Sequence, residues 1–228
     1  MVKVKQFLRI ILGLITFGIG VTMTIEAGLG VAPWDVFHHG LSLTTAITMG
    51  QASILVGLFV VVLDIILGQN IGWATVLNMI LIGATMDVIM LNNLLPNFQS
   101  FLPNFFMLML GIFVQGYGCF LYISVGYGAG PRDGLMVALA KRTGKSVRFL
   151  KSAIEVFAVS AGFLLGGHLG IGTLIMAVFG GIIFQFTFKT VNFDLSAVEH
   201  RFIKDDIKWL KDKFTKEKII IDEETKNP

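Results

Sequence analysis

Asp35 and Asp133 are the residues best placed to do chemistry. Each follows a proline by two positions in one recurring pattern, Gly28-x-Gly30-x-x-Pro33-x-Asp35 and Gly126-x-Gly128-x-x-Pro131-x-Asp133. Proline suits the first turn of a helix, where its missing N–H is no loss. The glycines ahead of it are turn-like. The pattern predicts two short helices, 33–46 and 131–143, each entered through a glycine turn with a carboxylate in its first turn. A carboxylate there meets free N–H groups and the positive end of the helix dipole, which is its plainer role. If the two helix ends share a cavity, the pair would bind a cation, a proton or an amine, as discontinuous helices do in transporters. Arg132 replaces Trp34 in the second pattern. A cation beside a helix N-terminus suits an anion, but a pair with Asp133 is its simpler role.

Four further acids, Glu26, Asp64, Asp87 and Glu155, fall within or near apolar runs. Intramembrane acids are costly and count as functional candidates by default. Between Ile10 and Pro131 there is no Lys or Arg. The acids of that stretch must be wet, protonated, partnered from elsewhere or ion-binding. This imbalance points to proton or cation coupling. The candidate substrate- or ion-binding set is Gly28, Gly30, Pro33, Asp35, Asp87, Gly126, Gly128, Pro131, Arg132, Asp133 and Glu155. His38-His39 and His168 invite a metal or pH role. Adjacent histidines face different sides of a helix, and no Cys or spaced His completes a set, so neither metal nor cofactor is expected. No H-E-x-x-H, G-x-S-x-G or Walker pattern is present. Thr143-Gly144-Lys145-Ser146 lacks the upstream glycine, since position 139 is leucine. The chain is not expected to be an enzyme.

The elements that hold these residues must lie in lipid. Hydrophobic residues make up 54% of the 228 and charged residues 14%, where soluble domains average about 25% charged. Mean hydropathy is +0.78. Cys119, alone of its kind, cannot form an intramolecular disulfide. Apolar runs reach from Arg9 to Ile25 and over roughly 51–67, 72–92, 103–125, 147–166 and 170–189. Most approach the ~20 residues that cross a bilayer. The two short helices do not. If re-entrant, they leave six spans; if they cross, eight. Cations cluster at the N-terminus and from Lys141 to Lys151, while loop 92–104 has none. Cytoplasmic loops are rich in Lys and Arg, which favours six spans with both termini cytoplasmic. Basic residues that flank spans set orientation, so nucleic acid is not an expected partner.

The offset of 98 residues between Pro33 and Pro131 extends without gaps. It pairs Gly13 with Gly111, Gly18 with Gly116, Gly20 with Gly118, Leu67-Gly68 with Leu165-Gly166, and Gly72, Thr75 and Gly83 with Gly170, Thr173 and Gly181. Two homologous halves, 5–95 and 103–190, are therefore expected, followed by a charged tail, 192–228. With three spans each, the second half is inverted, an arrangement common in secondary transporters. The other paired glycines read as close helix packing.

The two G-x-G-x-x-P-[WR]-D motifs, the later segment Leu165-Gly166-Gly167-His168-Leu169-Gly170-Ile171-Gly172-Thr173 and the layout resemble the bacterial YczE/YitT group of membrane proteins over most of residues 7–190. The resemblance implies a multipass plasma-membrane protein and carries no catalytic residues over. In the tail, Ile203, Ile207, Leu210 and Phe214 recur at helical spacing between charges, which predicts an amphipathic helix on the membrane or on the protein. It is also where a protein partner would bind. The residues from Asp222 to Pro228 read as a frayed end.

The sequence thus predicts an all-α polytopic bundle of two homologous repeats: about six transmembrane helices, two half-helices and a cytoplasmic amphipathic C-terminal helix, in the inner membrane. The function expected is a small-solute permease, coupled to protons or cations, with its site where the two turns converge. The alternative is a membrane protein that regulates or scaffolds a partner through its tail. A weaker third reading is an intramembrane enzyme acting on lipid.

Overall fold

The computed structural model describes residues 4–226; side chains at 214 and 216–226 lie outside the description. All regular structure in it is helical: α1 (Val4–Glu26), α2 (Pro33–Thr44), α3 (Met49–Ile66), α4 (Trp73–Leu91), α5 (Phe101–Ile123), α6 (Pro131–Thr143), α7 (Val147–Leu164), α8 (Ile171–Thr190), a 3₁₀ turn at Leu195–Ala197 and α9 (Ile203–Lys226). Five helices, α1, α3, α4, α5 and α8, are long and apolar enough to cross a membrane. The sixth expected span, α7, has 18 residues, but Arg148, Lys151 and Glu155 stand in its first half. It differs in charge, not in length. At about 1.5 Å per residue, α2 and α6 reach only ~18–20 Å, well short of the ~30 Å hydrocarbon core.

Local chemistry sets the helix ends. Pro33 and Pro131 open α2 and α6. Thr48 and Gln51 form a capping box at the start of α3, and the Ser146 hydroxyl accepts from the Phe149 amide at the start of α7. Gly144, at φ +68°, closes α6 in the left-handed conformation.

α1 and α5 form the central pair. A Cβ on Gly13 would lie 2.7 Å from the Tyr122 nitrogen, one on Gly20 2.6 Å from that of Gln115, and one on Gly118 2.5 Å from that of Phe17. Early residues of α1 meet late residues of α5, so the helices run antiparallel, and small residues let their backbones touch. α4 packs on α1, with Thr85 against Gly18, and α8 on α5, with Thr187 against Gly116. The short helices cross over: α2 lies on α7, with Val36 and Phe37 over Gly162, and α6 lies on α3, with Gly134 over Asp64.

The two glycine turns are stitched to distant helix starts. The Gly172 amide at the start of α8 donates to the Leu29 carbonyl at 2.6 Å, and the Ala74 amide in α4 donates to the Tyr127 carbonyl at 2.9 Å. Residue pairs 29/127 and 74/172 share the offset of 98, as do the starts of α2/α6, α3/α7 and α4/α8.

The tail is not loose where it leaves α8. The Arg201 amide donates to the Gly126 carbonyl at 2.7 Å and the Ile203 amide to that of Ile71 at 3.0 Å. The Gly128 amide donates to His200 Nδ1 at 3.2 Å, and Trp73 Nε1 to Asp206 at 3.0 Å. α9 continues through Lys226, past Asp222 where the frayed end was expected to begin; residues 227–228 lie outside the described residues. Of the expected apolar stripe, Ile207 and Leu210 are exposed.

Candidate functional site

α2 and α6 each present their N-terminal turn to one internal cavity of about 200 Å³. Asp35, Pro131, Arg132 and Asp133 line it, together with Tyr122 and Gln115 of α5 and Asn78 of α4. A molecule inside meets carboxylates, a guanidinium, a phenol and carboxamides. Tyr122, Gln115 and Asn78 are carried by α5 and α4, which also bury apolar residues in the bundle, so these polar groups stand on a rigid frame.

Asp35 is 6% exposed, in the first turn of α2. Its Oδ1 lies 3.1 Å from His38 Nδ1, and His38 Nε2 lies 3.2 Å from Arg132 Nη2. Guanidinium can only donate. Nε2 therefore accepts, and Nδ1 carries the proton that is donated to Asp35. His38 is fully buried and neutral, and it links the start of α6 to the start of α2. Arg132 also sits over the Trp34 ring, 4.7 Å from its centroid, a cation–π contact. The pairing of Arg132 with Asp133 expected from sequence is not made: the guanidinium turns to His38 and Trp34 instead.

Asp133 stands where three cavities meet. It lines the central cavity, a side pocket of about 160 Å³ with Trp34, Arg132, Lys151 and Glu155, and a vestibule of about 480 Å³ at the end that carries the tail. Gly130 belongs to both the central cavity and the vestibule, so the two adjoin at this turn.

The remaining expected residues divide. Pro33 and Pro131 position the turns. Gly30 and Gly128 sit at φ +108° and +107° against the starts of α8 and α4, and Gly126 lies under the Glu199 carbonyl. These glycines, with Gly28 at φ +63°, shape and pack the turns; none of the four lines the central cavity. Glu155 lies 3.9 Å from Lys151 one turn earlier. Asp87 is elsewhere: its Oδ2 accepts from the Thr48 hydroxyl at 2.5 Å and its Oδ1 from the Gly50 amide at 2.9 Å. It ties α4 to the N-terminus of α3.

Sequence reasoning missed Tyr122, Gln115 and Asn78, polar residues inside apolar runs, and the roles of His38 and Asp64. The Asp35-x-x-His38 spacing of one helical turn was a legible signal for the first pair.

The apolar spans and buried polar turns define a polytopic helical membrane protein. A family described as "Family of unknown function (DUF6198)" matches residues 4–189. The chain is 36% identical over 77% of its length to the "Uncharacterized membrane protein YczE" of Bacillus subtilis (strain 168), covering 81% of that protein. It is 32% identical over 80% of its length to an "Uncharacterized protein" of Haemophilus influenzae, covering 83% of it. It is 23% identical over 75% of its length to the "Uncharacterized protein YyaS" of B. subtilis, covering 87% of it. No solved structure matches. The chain belongs to the YczE family of membrane proteins.

Proposed function

We propose that the protein is a small-solute permease of the bacterial inner membrane, built from two homologous halves of opposite orientation, 5–95 and 103–190. One observation carries this reading: both Pro-x-Asp helix starts, 98 residues apart, line the same cavity together with Arg132. Supporting it, α1 and α5 run antiparallel and the glycine turns exchange matching hydrogen bonds with α8 and α4. Transporters place broken helices of inverted repeats around a midplane site in this way. The cavity is smaller than the ~300 Å³ at which drug-sized sites begin, and its lining suits a compact polar solute bearing charge of either sign. The adjoining vestibule would give access from one side.

Cations support the orientation. The start of α1, the end of α5 and the tail are neighbours, with Arg9 over the Phe120 ring at 5.1 Å and Phe120 against Phe193 at 5.2 Å. Arg142, at the end of α6, reaches the Ile66 carbonyl at the end of α3. Basic residues thus gather at one end of the bundle, the cytoplasmic end by the positive-inside rule. Arg9 of α1 and the docked part of the tail, at Arg201 and Ile203, belong to that end.

Thermal stability of the detergent-purified protein against ions, amino acids, amines and organic acids tests the reading. A solute at 100 times its dissociation constant stabilises by about 2.7 kcal/mol. A stabilising solute whose effect vanishes in Asp35→Asn and Asp133→Asn supports the permease. A solute effect that survives in both variants removes the site from these turns.

A further inference from the structure

Asp64 lies in the last turn of α3 and is 1% exposed. Neither of its carboxylate oxygens has a hydrogen-bond partner. The α6 backbone passes directly over it, so that a Cβ on Gly134 would come 2.6 Å from Oδ2. A buried carboxylate without partners is costly. The end of the helix makes it costlier, because the dipole there is already negative. Protonation would remove the charge, yet the O–H and the carbonyl oxygen of the acid would still lack protein partners.

The vestibule that Asp64 lines holds oxygen donors. Asp133 stands in its wall, as do Asn70, Thr75 and the segment at Ala129. Two carboxylates with carboxamide, hydroxyl and carbonyl oxygens form a hard ligand set, which suits an alkali or alkaline-earth ion. Divalent sites draw on several carboxylates, and among the described residues no group of three or more acidic, His or Cys side chains gathers. The cationic or titratable groups of the same wall are Lys141 and His200; neither bonds the Asp64 carboxylate.

We propose that Asp64, with Asp133, binds a hard monovalent cation of the sodium class where the vestibule meets α3 and α6. The site deepens the permease reading by placing the coupling ion beside the solute cavity, with Asp133 common to both. It rests on that reading only for its role in transport; binding is a property of its own.

The test uses the full chain in detergent, with choline chloride replaced stepwise by sodium chloride at constant ionic strength and no solute present. The expected result is a saturable rise in melting temperature with sodium, and saturable binding of radioactive sodium ion, both lost in Asp64→Asn and weakened at least tenfold in Asp133→Asn. Asp87→Asn should bind sodium like the parent. No saturable sodium binding by the parent protein overturns the proposal, as does undiminished binding in Asp64→Asn. Should Asp64→Asn fail to fold, Asp133→Asn and Gly134→Ala decide: an unchanged sodium dissociation constant in both overturns it. A sodium site with no solute response in the earlier panel would leave the ion site standing and the permease reading unsupported.

Discussion

Arg132 and His38, 94 residues apart in sequence, share a hydrogen bond of 3.2 Å at the heart of the bundle. The bond decides which histidine nitrogen holds the proton. Since Arg132 donates to Nε2, the proton is on Nδ1 and points to Asp35 at 3.1 Å. The nitrogen-15 NMR spectrum of His38 should therefore show an unprotonated Nε2 and a protonated Nδ1 at neutral pH. A protonated Nε2 would contradict the relay. Truncation in His38→Ala orphans Asp35 and Arg132 together and should cost about 1–3 kcal/mol, the usual penalty for unsatisfied buried polar groups, read as a lower unfolding midpoint in detergent.

Asp87 is a brace. It receives both Thr48 and the Gly50 amide and so caps a helix start from another helix. Asp87→Ala should lose about 1–2 kcal/mol of stability, the scale of a lost cap. Any solute bound in the central cavity should keep its affinity. A large loss of affinity with little change in melting temperature would instead place Asp87 in the binding machinery.

Gly128 and Gly68 separate two costs of a side chain. Both have positive φ, +107° and +81°. Gly68 has open space around it, whereas a Cβ on Gly128 would lie 2.5 Å from the Thr75 hydroxyl and 2.9 Å from the Gly72 Cα. Gly68→Ala should cost only backbone strain, about 1–2 kcal/mol. Gly128→Ala adds a collision at the junction of this turn with the start of α4 and should cost at least about 3 kcal/mol. Equal melting shifts in the two variants would show that the junction yields easily.

What could be read from sequence was what local chemistry writes. Pro33 and Pro131, the glycines ahead of them and the carboxylates after them specify two short helices entered through glycine turns, and the 98-residue offset was visible because it was gap-free. The small residues Gly13, Gly20, Gly111 and Gly118 likewise announced a close helix pair, now seen as α1 on α5. The rest is tertiary. The partners of Asp87, Thr48 and Gly50, come from 37–39 residues away, so from sequence this acid reads as unpartnered in an apolar run. The tail showed its helical spacing, seen as α9, but not where it docks. Its docking at 198–206 runs through backbone amides of Arg201 and Ile203, which leave no side-chain signature, and through His200 and Asp206, whose partners lie 72 and 133 residues away. α7 read as a span by length, although Arg148, Lys151 and Glu155 charge its first half, the last two lining the pocket at Arg132.

The placement of cations at one end of the bundle predicts sidedness. In a Cys119→Ala background, a cysteine at Gln99 should react with an impermeant maleimide added to intact cells. A cysteine at Lys145 should react only after permeabilisation. Labelling of both positions from the same side would mean that α2 and α6 cross the membrane and that the halves are parallel.

His200 makes the tail sensitive to pH. Its Nδ1 accepts the Gly128 amide, which requires an unprotonated nitrogen. Burial lowers its pKa below the ordinary 6.5. The groups that share its vestibule are Asp64, Asp133 and Lys141. The docked state binds protons less readily than the free tail. Its stabilising contribution is thus complete above the free value and is lost as pH falls through the lowered one. Hydrogen exchange at the Gly128, Arg201 and Ile203 amides should be slow near pH 7, after correction for intrinsic rates. Protection should drop toward about pH 5, where histidine charges. His200→Gln presents a carboxamide oxygen that can accept the same amide without titrating. Its protection should therefore be flat over that range. A tail whose protection falls equally in parent and variant would be held by something other than this imidazole.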